Sequence, residues 1–257
     1  MKFDKYFISG CMKMLIVNFS DIHYVDGFNN KILDDIYDSI RNIKPNFITV
    51  TGDIIDNTSV LDDNNVLYDF FCRLSGICSV LICLGNHDLF NPIECYSSIF
   101  KRLNNVDNIY VLDNSSIVFD DVAFSSITLG KDYYEGHSVD IDIDEYKFSY
   151  SKYNVLLIHN PIHIEYNIEK FNKFDLILAG HMHNGLVPHF IKGNFGIVGP
   201  SKTFFPRFAR GYKKIDGIDV IVSGGITKLS NSAKLFHRFN FMFCEQIDII
   251  YINDEKN

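Results

Sequence analysis

Residues 79–88 read Ser79-Val80-Leu81-Ile82-Cys83-Leu84-Gly85-Asn86-His87-Asp88. An apolar run suited to a fully buried strand breaks abruptly into a glycine, an amide, an imidazole and a carboxylate. In open α/β sheets, ligands gather beyond the carboxyl ends of such strands. The same pattern recurs four times. Residues 14–20 lead into Asp21-Ile22-His23, and residues 47–51 lead into Gly52-Asp53-Ile54-Ile55-Asp56. Residues 154–158 lead into His159-Asn160-Pro161, and residues 174–179 into Gly180-His181-Met182-His183. Five polar loops are therefore expected to converge on one edge of the fold.

The intervening segments set the fold class. Residues 30–43 place Ile32, Leu33, Ile36, Ile40 and Ile43 at helical spacing, and Pro45 ends the run. Residues 64–75 carry Val66, Leu67, Phe70, Phe71 and Leu74 on one helical face. This β-α-β-α-β opening implies parallel strands with helices packed outside. After Leu103 the rhythm changes to short β-rich runs at 109–112, 115–119 and 122–128, the first two joined by a turn at Asp113-Asn114. An acidic stretch follows, with Asp132, Glu135, Asp140, Asp142, Asp144 and Glu145, and reads as a solvated loop and helix start. Further strands are expected near 186–191, 195–198, 218–223 and 239–252, and residues 14–19 as the first core strand. With no repeat or linker composition, residues 1–257 read as one domain, an α/β fold of two packed sheets with helices outside.

Composition narrows the function. The chain has 257 residues, is 47% hydrophobic and carries a formal net charge of −8. A general nucleic-acid coat would be basic, so no stable nucleic-acid complex is expected. A phosphorylated substrate stays compatible, because bound cations invert the local sign. The six cysteines show no Cys-x-x-Cys spacing, and most lie in apolar runs as small hydrophobes. A reducing compartment and a cytoplasmic location fit them. No apolar run reaches the length of a membrane span, and Asp4 and Lys13 interrupt any signal-like core.

The loops carry metal chemistry. Taken singly, Gly52-Asp53 reads as a turn, and His159 or the Asp21/His23 pair as incidental loop residues. Together they offer carboxylates, imidazoles and one amide, with no thiolate. That set suits Mn²⁺, Fe or Zn²⁺ better than Ca²⁺ or a structural zinc. In an extended segment, His181 and His183 would point the same way, towards adjacent metal positions. A central carboxylate can bridge two cations about 3.5–4 Å apart, and a bridging water acidified by both becomes the nucleophile for phosphate-ester hydrolysis.

The ordered set D-x-H, G-D-x-x-D, G-N-H-D, H-x-P and G-H-x-H, within residues 14–225, resembles the calcineurin-like metallophosphoesterase superfamily. The resemblance implies a four-layer α/β/β/α sandwich with a dinuclear site. It places Asp21, His23, Asp53 and His183 on one metal, and Asp53, Asn86, His159 and His181 on the other. His87 resembles the family's catalytic histidine, contacting the phosphate with Asn86 and assisting the leaving oxygen. Asp88 would orient His87 through a hydrogen bond, and Asp56 would support without ligating. One departure is Asn184-Gly185, where many bacterial relatives have two glycines. Residues 205–225, with Arg210-Gly211-Tyr212 and Val222-Ser223-Gly224-Gly225, also resemble bacterial members acting on membrane lipids or lipid-linked sugar nucleotides.

Residues 189–214 hold Lys192, Lys202, Arg207, Arg210, Lys213 and Lys214 with no Asp or Glu, interleaved with Phe204, Phe205 and Phe208. One reading is a surface gripping an anionic, partly apolar substrate through Arg207 and Arg210, or touching lipid headgroups. The other is a β-rich loop with its phenylalanines in the core. His137, His163, His189 and His237 read as surface or loop residues, and Tyr24 and Asp26 as candidates for the substrate entrance. The expected activity is metal-dependent cleavage of a phosphodiester or pyrophosphate bond in a phosphorylated small molecule or lipid-linked substrate, with peripheral membrane contact allowed. The rivals are a non-catalytic metal-binding scaffold on the same fold, a phosphomonoesterase and a nuclease.

Overall fold

A computed structural model describes the chain except residues 26, 57–65, 91–94, 135–140, 163, 165–166, 189, 201–203, 207, 227–243 and 255–257, with residues 95–98 described by backbone alone. The strands are β1 (Lys2–Gly10), β2 (Met14–Phe19), β3 (Phe47–Thr51), β4 (Ser79–Cys83), β5 (Ile109–Leu112), β6 (Ser116–Phe119), β7 (Val122–Ile127), β8 (Tyr153–Ile158), β9 (Leu176–Ala179), β10 (Gly211–Ile215), β11 (Ile218–Val222) and β12 (Gln246–Asp254). The helices are α1 (Lys31–Ile43), α2 (Val66–Ser75), α3 (Asn86–Leu89), α4 (Cys95–Leu103) and α5 (Lys131–Tyr134).

They form two six-stranded sheets, ordered β1-β12-β2-β3-β4-β5 and β10-β11-β9-β8-β7-β6. Strands β2 to β5 run parallel, as do β7, β8, β9 and β11, while β12 lies antiparallel to β2, and β10 and β6 lie antiparallel at the edges of the second sheet. The expected α/β architecture of two mixed sheets flanked by helices is present. Strand alternation explains it. In β2, Ile16 faces the core between the sheets and Val17 faces the helices; in β4, Leu81 faces inward and Ile82 outward. Both faces are covered, so the central strands are mostly apolar, with a few buried polar residues such as Asn18 and Thr49.

The helix α1 buries Leu33, Ile36 and Ile40 on the first sheet and stops at Lys44, whose left-handed backbone (φ 54°) returns an N–H bond to the Ile40 carbonyl just before Pro45. The outer face of the second sheet is covered by α5, by 3-10 turns at Ile143–Glu145 and Ile168–Phe171, and by loops.

Three sequence expectations need correction. The first strand is β1, not the run at 14–19; its alternating exposure marks an edge strand, and it pairs in parallel with β12. The expected strands at 186–191 and 195–198 are a 3-10 turn (His183–Leu186) and a loop carrying an isolated bridge, Val198 to Phe204. Pro188, Gly193, Gly196 and Gly199 break the pattern there. The strand expected over 239–252 is β12, beginning at Gln246; residues 239–243 lie outside the described set.

Candidate metal centre

The parallel strands of both sheets deliver their carboxyl ends to one place. Beyond β2, β3 and β9 the chain turns through left-handed backbone, with φ of 53° at Asp21, 47° at His23, 51° at Asp53, 69° at His181 and 44° at His183. Residues with a Cβ rarely adopt this conformation, and such strain gathers at functional sites. The alternate histidines are therefore not extended, as the sequence reading expected; the turn between them sends His181 and His183 to different clusters. Asn184 also sits in left-handed backbone (φ 56°), which asparagine tolerates, so the departure from two glycines keeps the turn.

Backbone bonds tie the loops together. Asp21 N–H donates to Gly52 O (3.0 Å), His23 N–H to Asp53 O (3.0 Å), Tyr24 N–H to Ile54 O (2.9 Å) and Gly180 N–H to His159 O (3.0 Å). Gly52 has φ 87°, and a Cβ there would lie 2.6 Å from His159 Nδ1 and 2.7 Å from Gly85 N. Glycine is required at this crossing.

Three groups of side chains bring ligand atoms within 4.8 Å of one another: Asp21, His23 and His183; His23, Asp53 and His87; and Asp53, His159 and His181. The imidazole nitrogens His23 Nε2 and His183 Nε2 are 3.2 Å apart, with Asp21 Oδ1 3.5 Å from the latter. Asp53 Oδ2 lies 3.6 Å from His23 Nε2 and 3.1 Å from His159 Nε2, so one carboxylate joins both sides. Asp21 Oδ1, Asn86 Oδ1 and His181 Nε2 are buried without a hydrogen-bond partner, while His159 Nε2 meets the Asp53 carboxylate. Buried polar atoms are normally satisfied. Orphaned oxygen and imidazole nitrogen atoms within such clusters, Asp21 Oδ1 and His181 Nε2, fit divalent cations.

Supporting contacts aim the rings. The Thr51 carbonyl can only accept, so His159 donates Nδ1–H to it (2.6 Å) and turns Nε2 inward. Asp56 Oδ2 lies 3.7 Å from His23 Nδ1, beyond hydrogen-bond distance. Burial disfavours charge on every group here. At Asp53 that effect is outweighed by His159, His23 and His87, which hold the carboxyl well below its ordinary range. At His159, burial is outweighed by Asp53 and Asp21, and the ring is pushed up to about 9. For His87 and His181, burial prevails and both rings are held low.

His87 is half-buried at the edge of the cluster, its ring edge-on to His23 at 4.6 Å, and its N–H donates to Asp53 Oδ1 (2.8 Å). Asp88 does not orient it. Both Asp88 oxygens are engaged by backbone: Oδ1 accepts from Ile54 N–H (2.9 Å) and Ile55 N–H (3.0 Å), and Oδ2 from Gly85 N–H (2.9 Å). Successive residues of a helix point in different directions, so Asp88 clamps two ligand loops instead. Burial and nearby Asp53 push its pKa up to about 7.

Arg210 also departs from expectation. It is buried, and its guanidinium donates to the carbonyls of Gly193 (2.9 Å), Val187 (3.3 Å), Pro188 (3.5 Å) and Ile191. These bonds commit it to its own loop, not to a substrate. Arg207, Asp26, His137, His163, His189 and His237 lie outside the described residues. Tyr24 packs against Phe28, with ring centroids 5.3 Å apart.

One neighbour was missed. Tyr134 stands against His181 (5.2 Å between ring centroids) and His159 (6.2 Å), walling the side of the cluster. It falls at the end of α5 in a stretch that reads as solvated, and nothing in the local pattern marks it. The glycine turn Gly224-Gly225 packs on Asp21, a Cβ at Gly225 lying 2.9 Å from the Asp21 Cβ.

Sequence and fold are shared with known proteins. The calcineurin-like phosphoesterase family model matches residues 14–185, a span containing all seven expected ligands. The uncharacterized metallophosphoesterase Cj0846 of Campylobacter jejuni is 27% identical over 183 residues, covering 67% of this chain and 44% of that protein. The uncharacterized metallophosphoesterase YkuE of Bacillus subtilis is 26% identical over 179 residues, covering 67% of this chain and 59% of that protein. The chain thus spans about half the length of these two relatives. Among solved structures, TT1561 of Thermus thermophilus shares the fold, with a TM-score of 0.52 at 11% identity over 83% of this chain and 90% of that one. The chain belongs to the calcineurin-like phosphoesterase family.

Proposed function

We propose that this family member hydrolyses a phosphodiester or pyrophosphate bond at a two-cation centre bridged by Asp53. One cation would be held by Asp21, His23, Asp53 and His183, the other by Asp53, Asn86, His159 and His181. The observation that carries this reading is the pair of linked clusters, Asp21 with His23 and His183, and Asp53 with His159 and His181, in which Asp21 Oδ1 and His181 Nε2 are buried without a hydrogen-bond partner. Mn²⁺, Fe or Zn²⁺ suits the donors. When bound, such cations supply Lewis-acid activation of water and of the phosphoryl oxygens.

The chain's own residues do the rest. The Thr51 carbonyl fixes the His159 ring, so its Nε2 is aimed before substrate arrives. His87 is held neutral by burial in the free enzyme. An anionic phosphate beside it would favour its charged form, and the ring then donates its proton to the leaving oxygen. Because both sheets contribute ligands, residues 1–257 are read as one catalytic domain. The preference for a diester rests on the likeness of residues 205–225 to members that cleave lipids or lipid-linked sugar nucleotides.

The test pairs metal analysis with Mn²⁺-supported hydrolysis of a bis-aryl and a mono-aryl phosphate. Faster turnover of the bis-aryl ester is expected. A protein that holds metal but turns over neither ester is a scaffold, and the proposal fails. His87→Ala should cut turnover while both cations remain; losing the cations as well would overturn the role given to His87.

A further inference from the structure

In the middle of the first sheet, a carboxylate stands in the space between the sheets, where the core is largely apolar. Asp248 of β12, Asn18 of β2 and Thr49 of β3 are register partners on the face turned toward the second sheet, and all three are buried. The next inward pair on two of these strands is Ile250 and Ile16, both in the core between the sheets. A carboxylate in such a place costs stability that apolar residues of similar size would not. Three donors meet it. Asn18 Nδ2–H donates to Oδ2 (3.2 Å) and Gln246 Nε2–H to Oδ1 (2.9 Å), and the Ser223 hydroxyl donates from the end of β11 in the second sheet. Thr49 Oγ1–H donates in turn to Asn18 Oδ1 (3.0 Å).

The bond from Ser223 leads to the candidate metal centre. Ser223 Oγ also accepts Gly225 N–H through a long bond of 3.4 Å. Backbone bonds hold the same turn on both sides: Gln246 N–H donates to Gly225 O (3.1 Å) and Ile226 N–H to Ser20 O (2.9 Å). Gly225 packs so closely on Asp21 that an added Cβ would also lie 3.3 Å from Asp21 Oδ2. That oxygen accepts His181 N–H (3.1 Å), which leaves Oδ1, buried and orphaned, 3.5 Å from His183 Nε2. The Asp21 carboxylate is thus pinned between an amide and a turn, and Asp248 holds the turn through Ser223. A buried hydrogen-bonded network of this kind rigidifies what it touches.

We propose that Asp248 is a positioning residue of the metal centre: through Ser223 and Gly225 it holds Asp21 in the orientation a cation meets. The inference rests on the reading of Asp21 as a cation ligand. Two of the three bonds to Asp248 stay within the first sheet and serve packing alone. The third crosses to the second sheet and joins the carboxylate to the turn on Asp21, and this bond separates a positioning role from a structural one. Outer contacts that orient a ligand change cation affinity roughly tenfold or more when removed.

The test is calorimetric titration of the full chain with Mn²⁺ at neutral pH, beside urea denaturation of the same proteins without metal. Asp248→Asn and Ser223→Ala should each weaken one of the two Mn²⁺ sites roughly tenfold and leave the other near its original affinity. Thr49→Val is the control. It removes a buried bond at the far end of the same network, so it should lower stability about as much as Ser223→Ala does while both Mn²⁺ affinities hold. Should Asp248→Asn fail to fold, Ser223→Ala decides alone, because it deletes one hydroxyl and leaves Asp248 its two amide donors. The positioning role is overturned if folded Ser223→Ala takes up both cations as tightly as the unaltered chain, or if Thr49→Val loses the same affinity for the same loss of stability. Either result leaves the two-cation reading standing, whereas an unaltered chain that takes up no Mn²⁺ overturns both.

Discussion

Loading the centre with Mn²⁺ should expel protons. His159 commits Nδ1–H to Thr51 O at 2.6 Å and presents Nε2 to Asp53 Oδ2 at 3.1 Å. Burial opposes a charge on this ring, but Asp53 and Asp21 override it and hold the pKa at about 9. At neutral pH the ring is therefore protonated at Nε2, the atom a cation would need. At pH 7 about one ring in a hundred is deprotonated, and at pH 9 about half, so proton competition weakens uptake about fiftyfold at the lower pH. Affinity should rise about tenfold from pH 7 to 8 and about fivefold from pH 8 to 9. His23, also held above its ordinary value against burial by Asp56, Asp53 and Asp21, acts in the same direction. Calorimetric titration with Mn²⁺ at pH 7, in two buffers of different ionisation enthalpy, should count about one to two protons released per protein. The same shift acts on stability. A raised histidine pKa stabilises the cation-free fold fully below about 6.5, and that contribution is lost as pH rises through about 9. Uptake that releases no protons, with an affinity flat from pH 7 to 9, would refute the arrangement.

Three further outcomes follow from particular contacts. Asp88→Ala strands the buried N–H groups of Ile54, Ile55 and Gly85 and should cost about 3 kcal/mol in urea denaturation; a loss confined to turnover, with stability intact, would return Asp88 to a catalytic role. Asp248 is fully buried, and burial pushes its pKa up to about 6. Its protonated form therefore stabilises the fold fully below about pH 4, and that contribution, about 3 kcal/mol, is lost as pH rises through about 6. Asp248→Asn should remove this slope, and a slope that survives would place its origin elsewhere. Asp21 sits at φ 53°, whereas Asn86 begins the short helix α3. In cation-free protein, Asp21→Gly should be about 1 kcal/mol more stable than Asp21→Ala, and Asn86→Gly less stable than Asn86→Ala; the same order at both positions would deny that Asp21 is strained.

The central strands and the ligand loops were legible because burial on both faces writes a continuous apolar run, and the break into Asp, His and Asn marks the strand's carboxyl end. The edges were not. In β1 and β10, exposed and half-buried residues alternate, and β1 finds its partner β12 at the far end of the chain, so no local pattern announces it. Asp88 and Arg210 were misjudged for a related reason. Side-chain chemistry suggested partners of opposite charge or a substrate, whereas both bind backbone groups that no residue letter encodes. Tyr134 reaches the cluster from a neighbouring polar stretch only through the fold of the second sheet.

Strain ties the architecture to the chemistry. Five of the seven expected ligands hold left-handed backbone, each costing about 1–3 kcal/mol. Such a cost persists only where surrounding structure over-determines it, and here the surroundings are explicit. The Asp21 and His23 amides are bonded to the carbonyls of Gly52 and Asp53, and the Asp88 carboxylate grips the amides that follow Asp53. The strands beneath are buried on both faces. A left-handed residue at a strand end reverses the chain within one step, so a ligand faces back over the sheet edge without a long loop. Short strained turns of this kind fix donor positions more tightly than a flexible loop could. The sandwich therefore supplies rigidity, the turns convert it into position, and the orphaned donors of Asp21, Asn86 and His181 are what that position leaves for cations to satisfy.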